Sequence, residues 1–300
     1  MAEHLSKFAL IIVVFAGSEV LAEELTPAQV HQYVGALAAD VEQIRLVIGK
    51  RLPRSRDFRL EEVEPRQVFF QSQTLFRKCN QLAQELAGVS RQAAPYPPDE
   101  RATTLNDVQE VITLARGQLK YVRDTLGIEE APLPRFERRR TSSDVMRDII
   151  EAGYVLNRLI EQTRDWSQIY DRVYQTITYM GGVLPEAARY PAMETFECCK
   201  VPQDVYARLA LTMEAARPAA EKVDLALIRI ILNKQAEGGA STETVYDLTT
   251  TLVTDFGELS LRLEGEDIAG PDYERPAKIY PSHVFQLAGV LERQVAALSN

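Results

Sequence analysis

Residues that carry chemistry are scarce in this chain. Its 300 residues include three histidines, three cysteines and one tryptophan. No His-x-x-x-His, Glu-x-x-His or Cys-x-x-Cys pair occurs, so the ligand sets of a zinc site or of a di-iron site in a helical bundle are missing. Without Cys-x-x-Cys-His there is no attachment point for a c-type haem. A Gly-x-Ser-x-Gly elbow and a phosphate-cradling Gly loop are lacking too. Catalysis would fall to carboxylates, Tyr and Arg. Neighbouring acids such as Glu61 and Glu62, or Glu264 and Glu266, read as solvated surface rather than as an acid and base pair. The expectation is a protein that is not an enzyme and that uses no cofactor or metal.

Long apolar runs are missing after the N terminus. FALIIVVFAG, residues 8–17, is too short to span a bilayer and has the length of a signal-peptide core. Lys7 precedes it, small residues follow at Ala16, Gly17 and Ser18, and Val20-Leu21-Ala22 offers a cleavage site before Glu23. Residues 1–22 therefore read as a signal peptide. The protein is expected to be periplasmic or secreted, with no membrane span in the mature chain. The lack of any Asn-x-Ser/Thr sequon leans toward a bacterial periplasm.

Excess positive charge is also missing. The formal net charge is −9, which repels nucleic acid unless a local basic stripe overcomes it. The one dense basic run, RFERRR at 135–140, lies between prolines and a helix start and reads as a solvated linker. Three cysteines permit one bridge and leave one thiol over. Cys79 falls at an apolar helix position and reads as a small buried hydrophobe. Cys198 and Cys199 are neighbours in METFECCK. They form a candidate vicinal disulfide, one of them could instead reach Cys79, and plain thiols are the alternative.

What is present is a recurring punctuation. Pro27-x-x-Val30, Pro65-x-x-Val68, Leu105-x-x-Val108, Ser142-x-x-Val145, Pro202-x-x-Val205, Thr242-x-x-Val245 and Pro281-x-x-Val284 start at intervals of 38, 40, 37, 60, 40 and 39 residues. Proline suits a first helical turn because its missing N–H has no intrahelical partner there and its φ already fits. Ser and Thr near the same place can cap. Apolar residues then step by four and three, as in Val108, Ile112, Ala115, Leu119, Val122 and Leu126, the stripe of a packed amphipathic helix.

The spacing predicts an all-α fold of two tandem four-helix bundles, at 23–164 and 165–300. Helices are expected near 26–49, 65–88, 104–127 and 143–164, then near 166–184, 202–236, 241–264 and 280–299. Pro218 must kink or split the longest of these. The long interval predicts either one central helix or two broken near Asp165, which could cap the second. Linkers of this length can cross a bundle end or climb back along it, and spacing does not choose. A helical solenoid is the alternative architecture.

Tyrosine is dense around Tyr170, Tyr174 and Tyr179. With Trp166 they make a candidate ligand pocket between the bundles, core packing being the other reading. His31 and His283, in first helical turns, read as surface or capping residues. The functional expectation is an exported, non-enzymatic helical protein acting through protein–protein contacts, as a scaffold or adaptor of the cell envelope. The alternative, by analogy of fold, is a periplasmic small-molecule-binding or sensory helical module.

Overall fold

All seven punctuated positions are the first residues of helices in the computed structural model, which describes residues 24–51, 58–96, 102–160, 165–232 and 240–298. The long helices are α1 (Pro27–Ile48), α2 (Pro65–Ala87), α3 (Leu105–Leu126), α4 (Ser142–Leu159), α5 (Trp166–Val183), α7 (Pro202–Glu221), α8 (Thr242–Arg262) and α9 (Pro281–Leu298). A single turn, α6 (Glu186–Arg189), follows α5, and two short strands, β1 (Phe58–Glu61) and β2 (Arg229–Leu232), pair with each other. The fold is all-α. Among the described residues no helix is long and apolar enough to cross a membrane. The expected signal peptide lies outside the described residues.

Local chemistry explains where the helices begin and end. At α1 the Thr26 side chain accepts from Gln29 N, and Gln29 Oε1 accepts from Thr26 N in return, a reciprocal cap. Thr141 and Asp144 do the same for α4. Gly49, Gly88 and Gly127 end α1, α2 and α3 at φ of 77°, 69° and 66°, where an L side chain would be strained. The central segment is two helices: α4 stops at Leu159, and Asp165 caps α5 by accepting from Ser167 N. The expected boundary at 164/165 abuts residues 161–164, which lie outside the described residues.

The helices pack as two quartets with the same neighbour pattern. In one, α1 and α2 each lie against α3 and α4; in the other, α5 and α7 each lie against α8 and α9. One continuous core of buried residues runs through both, from Val30 to Val295.

Within each quartet neighbouring helices run the same way. Leu25 N donates to Asn106 at the start of α3, while Asp40, further along α1, meets Arg116 and Arg123 further along α3. In the second quartet Arg172 of α5 meets Tyr246 and Thr250 of α8, and Tyr179 O accepts from Ser260 beyond them. Parallel neighbours require a linker to come back to the end where its helix began, and the linkers after α2, α3 and α8 do so along a helix of their own quartet. Asn80 and Gln73 of α2 bond Gln92 and then Pro95, in reverse order. Asp40 accepts from Ala131 N, and Gln32 donates to Pro134 O. After α8, Glu266 N bonds Gly182 O, Pro271 O accepts from Tyr174, and Arg275 pairs with Asp171. Gly182 permits the closest of these approaches, since a Cβ there would stand 2.2 Å from Glu266 O.

The quartets meet through α2 and α8, which run antiparallel. Gln67 near the start of α2 bonds Asp255 late in α8, and Lys78 late in α2 pairs with Asp247 early in α8. The β1–β2 ribbon ties the same junction, with Phe58 opposite Leu232 and Glu61 opposite Arg229. Here the structure departs from the helix expected over 202–236. α7 ends at Glu221, one turn after Pro218, and Arg229–Leu232 is a strand. Proline removes a backbone donor, and the β-branched run that follows suits a pleated partner better than a helix.

Candidate functional site

Three places concentrate polar or exposed aromatic groups. The first is α5, where Trp166, Tyr170 and Tyr174 recur at four-residue spacing and so share a face. The returning linker after α8 covers that face. Tyr174 Oη donates to Pro271 O at 2.5 Å, and the Arg275 guanidinium lies 5.4 Å from the Tyr170 ring centroid. Two loop tyrosines complete the cluster. Tyr190 Oη donates to Ala269 O and Tyr273 Oη to Pro191 O, so each of two linkers is tethered to the other. Burial raises the pKa of Tyr170, Tyr190 and Tyr273, and the proximity of Tyr174 adds to each rise.

Tyr170 is 3% exposed and its hydroxyl has no hydrogen-bond partner among the described residues. Trp166, the first residue of α5, is half-buried against the core. Tyr179 is turned away from this cluster toward α8, where its ring lies against Gly257 and its hydroxyl accepts from Gln175. Three of the four sequence candidates thus share one face, and Tyr179 stands apart. Tyr190, Tyr273 and Arg275 join the cluster from linkers, whose return path has no local signature.

The second place is the α2–α8 seam, which is polar. Lys78 and Asp247, 1% and 6% exposed at their side chains, lie 3.2 Å apart. Asp255, fully buried, accepts from Gln67 Nε2 and Ile228 N and pairs with Arg66. Burial pushes its carboxyl above the usual carboxylate range, against the pull of Arg66 and the two hydrogen bonds. Isolated charges this deep cost several kcal/mol each by order of magnitude, so their pairing sets how the quartets dock. A third buried carboxylate, Asp40, accepts from Ala131 N and pairs with Arg116 and Arg123, holding the linker after α3 in place. These ions are joints of the fold.

The third place is exposed. Where α7 and α9 begin, the Phe196 and His283 rings stand 5.0 Å apart, and Tyr280 and His283 5.7 Å apart. Phe196, Tyr280 and Val201 are 47%, 48% and 52% exposed. His283 caps its helix, as its first-turn position implied, by accepting from Tyr280 N at Nδ1, and burial lowers its pKa from the ordinary 6.5. His31 is different: it is buried, with Nε2 2.9 Å from Asp148 of α4.

The loop before α7 is pinned at several points. Arg208 and Gln286 bond Glu194, and Lys200 N donates to Ser282 Oγ. The patch is therefore held in position before anything meets it. Cys198 and Cys199 sit on the same loop as exposed thiols, whereas Cys79 is buried. The Arg135–Arg140 run is largely exposed, with Arg140 pairing Glu137 and Asp144.

Among the described residues no group of three or more His, Cys, Asp and Glu side chains could hold a metal ion. No family model, curated protein or solved structure matches the chain.

Proposed function

We propose that the protein is exported and works by contact, as a scaffold or adaptor that binds a protein partner of the cell envelope through the aromatic patch at the start of α7 and α9. The observation that supports this reading most is the exposed Phe196–His283–Tyr280 stack on a loop anchored at Glu194 and Lys200. Aromatic side chains that are exposed yet fixed are the anchors typical of protein interfaces, because little side-chain entropy is lost when they are covered. The short apolar segment at residues 8–17 and the small residues after it support export.

Binding to a washed envelope fraction, compared between the wild-type chain and a Phe196→Ser/Tyr280→Ser variant, tests the proposal. Loss of two anchors is expected to weaken binding by about 30-fold or more. Equal binding of the two proteins would refute it.

A small-molecule reading has one observation in its favour, the hydroxyl of buried Tyr170, which has no partner among the described residues. A ligand acceptor or donor placed there would satisfy it, and Tyr170→Phe would then weaken that ligand without unfolding the chain.

A further inference from the structure

Cys198 and Cys199 are in contact. Their sulfurs lie 3.1 Å apart, with the Cys199 thiol donating to Cys198 Sγ, and both side chains are exposed. Cys199 adopts a φ of 68°, one of four non-glycine residues with positive φ among those described. The pair ends a linker whose following residue is fixed, since Lys200 N donates to Ser282 Oγ in the first turn of α9. Neither sulfur takes part in the core, in the α2–α8 seam or in the tyrosine cluster.

We propose that Cys198 and Cys199 form a two-electron redox site, closed to a vicinal disulfide by exchange with a low-molecular-weight disulfide and reopened by thiols.

Cys198 Sγ, the acceptor in the pair, attacks one sulfur of the small disulfide as a thiolate, breaking that S–S bond and releasing one small thiolate. Cys199 then loses its proton to solvent and attacks Cys198 Sγ, releasing the second small thiolate. The protein gives up two electrons and two protons, and the small disulfide becomes two thiols. The second step is intramolecular between groups already touching, so the mixed disulfide does not accumulate. Contact with Cys198 raises the pKa of the Cys199 thiol, so Cys199 keeps its proton through the first exchange.

Reversibility follows from chain geometry. Neighbouring Cα atoms are about 3.8 Å apart, below the roughly 4.4–6.8 Å that an unstrained disulfide spans. Strain of this kind makes a disulfide easier to reduce and places it with labile rather than structural bridges. Closure must also reshape the turn between Phe196 and Lys200, and so the aromatic surface beside it. The redox chemistry itself does not depend on that surface having a partner.

The test is intact-mass analysis of the folded wild-type chain after incubation with glutathione disulfide. The expected product has lost two hydrogens and carries no glutathione, and mild treatment with reduced glutathione restores the starting mass. Cys198→Ser and Cys199→Ser are each expected to retain one glutathione, because the resolving partner is gone. Cys79 is buried, and burial pushes its thiol far above the usual range, so it stays out of the exchange. A wild-type chain that retains glutathione, or that stays at its starting mass while the single variants are modified, would overturn the proposal. So would a bridge that excess reduced glutathione does not open. Partner binding plays no part in the readout, so this proposal and the contact function fail separately.

Discussion

The ammonium of Lys78 on α2 lies 3.2 Å from the carboxylate of Asp247 on α8, in the interior where the two quartets meet. It also lies against α4, since a Cβ on Gly153 would come within 3.1 Å of Lys78 Nζ. Removing one partner leaves an unpaired buried charge, so Lys78→Met or Asp247→Leu alone is expected to destabilise the fold by about 3–5 kcal/mol. The double variant should recover most of that loss, because an apolar pair of similar volume leaves no charge stranded. Urea unfolding of the four proteins measures both the loss and the recovery.

Two glycines should respond in opposite directions. Gly182→Ala drives a Cβ into Glu266 O and is expected to cost about 1–3 kcal/mol. Gly117, in the interior of α3, has open space around its missing side chain, so Gly117→Ala should stabilise by roughly 0.5–1 kcal/mol. Thermal unfolding of the two variants separates close approach from mere helix propensity.

How much of this could be read from the chain depends on how local the cause is. Helix starts at Pro65 or Thr242 were legible because proline and capping act within one turn. The direction of α3 relative to α1 was not, since it depends on a linker lying along a helix through contacts such as Asp40 with Ala131. The strand Arg229–Leu232 was hidden because its partner, Phe58–Glu61, is remote in sequence. The polar seam was missed for a subtler reason. An apolar stripe through Val68, Leu75, Cys79 and Leu82 carries no sign that polar Gln67 and Lys78 beside it are buried as well. A second quartet buries them. The tyrosine cluster was half visible, with Tyr170 and Tyr174 at helical spacing but Tyr190 and Tyr273 in loops. Phe196 joins His283 and Tyr280 only in three dimensions.

The tyrosines can be told apart by their hydroxyls. Tyr174→Phe gives up a hydrogen bond to Pro271 O and is expected to cost about 0.5–1.5 kcal/mol. Tyr170→Phe removes a buried hydroxyl that has no partner among the described residues and should cost nothing or stabilise the fold. Denaturant midpoints of the two variants give the comparison.

Asp144 carries a pH dependence with a definite sign. Burial pushes its pKa up, but Thr141 N–H, the Thr141 hydroxyl and Arg147 outweigh that and hold it below the usual range. A depressed carboxylate contributes stability that is fully present above its unfolded pKa of about 3.9 and is lost as pH falls through the lower folded value. Asp144→Asn should therefore cost about 1 kcal/mol at neutral pH, with the gap to wild type closing in acid. Unfolding free energies of both proteins across that range check it.

The proposed contact function is tested most directly by placing a photo-activated cross-linker at Phe196 in cells that express the protein. A discrete adduct is expected, lost when Tyr280 is changed to Ser, with none from the same group at exposed Lys120 on α3. No adduct at Phe196, or the same adducts from both positions, would contradict a contact surface at the start of α7 and α9.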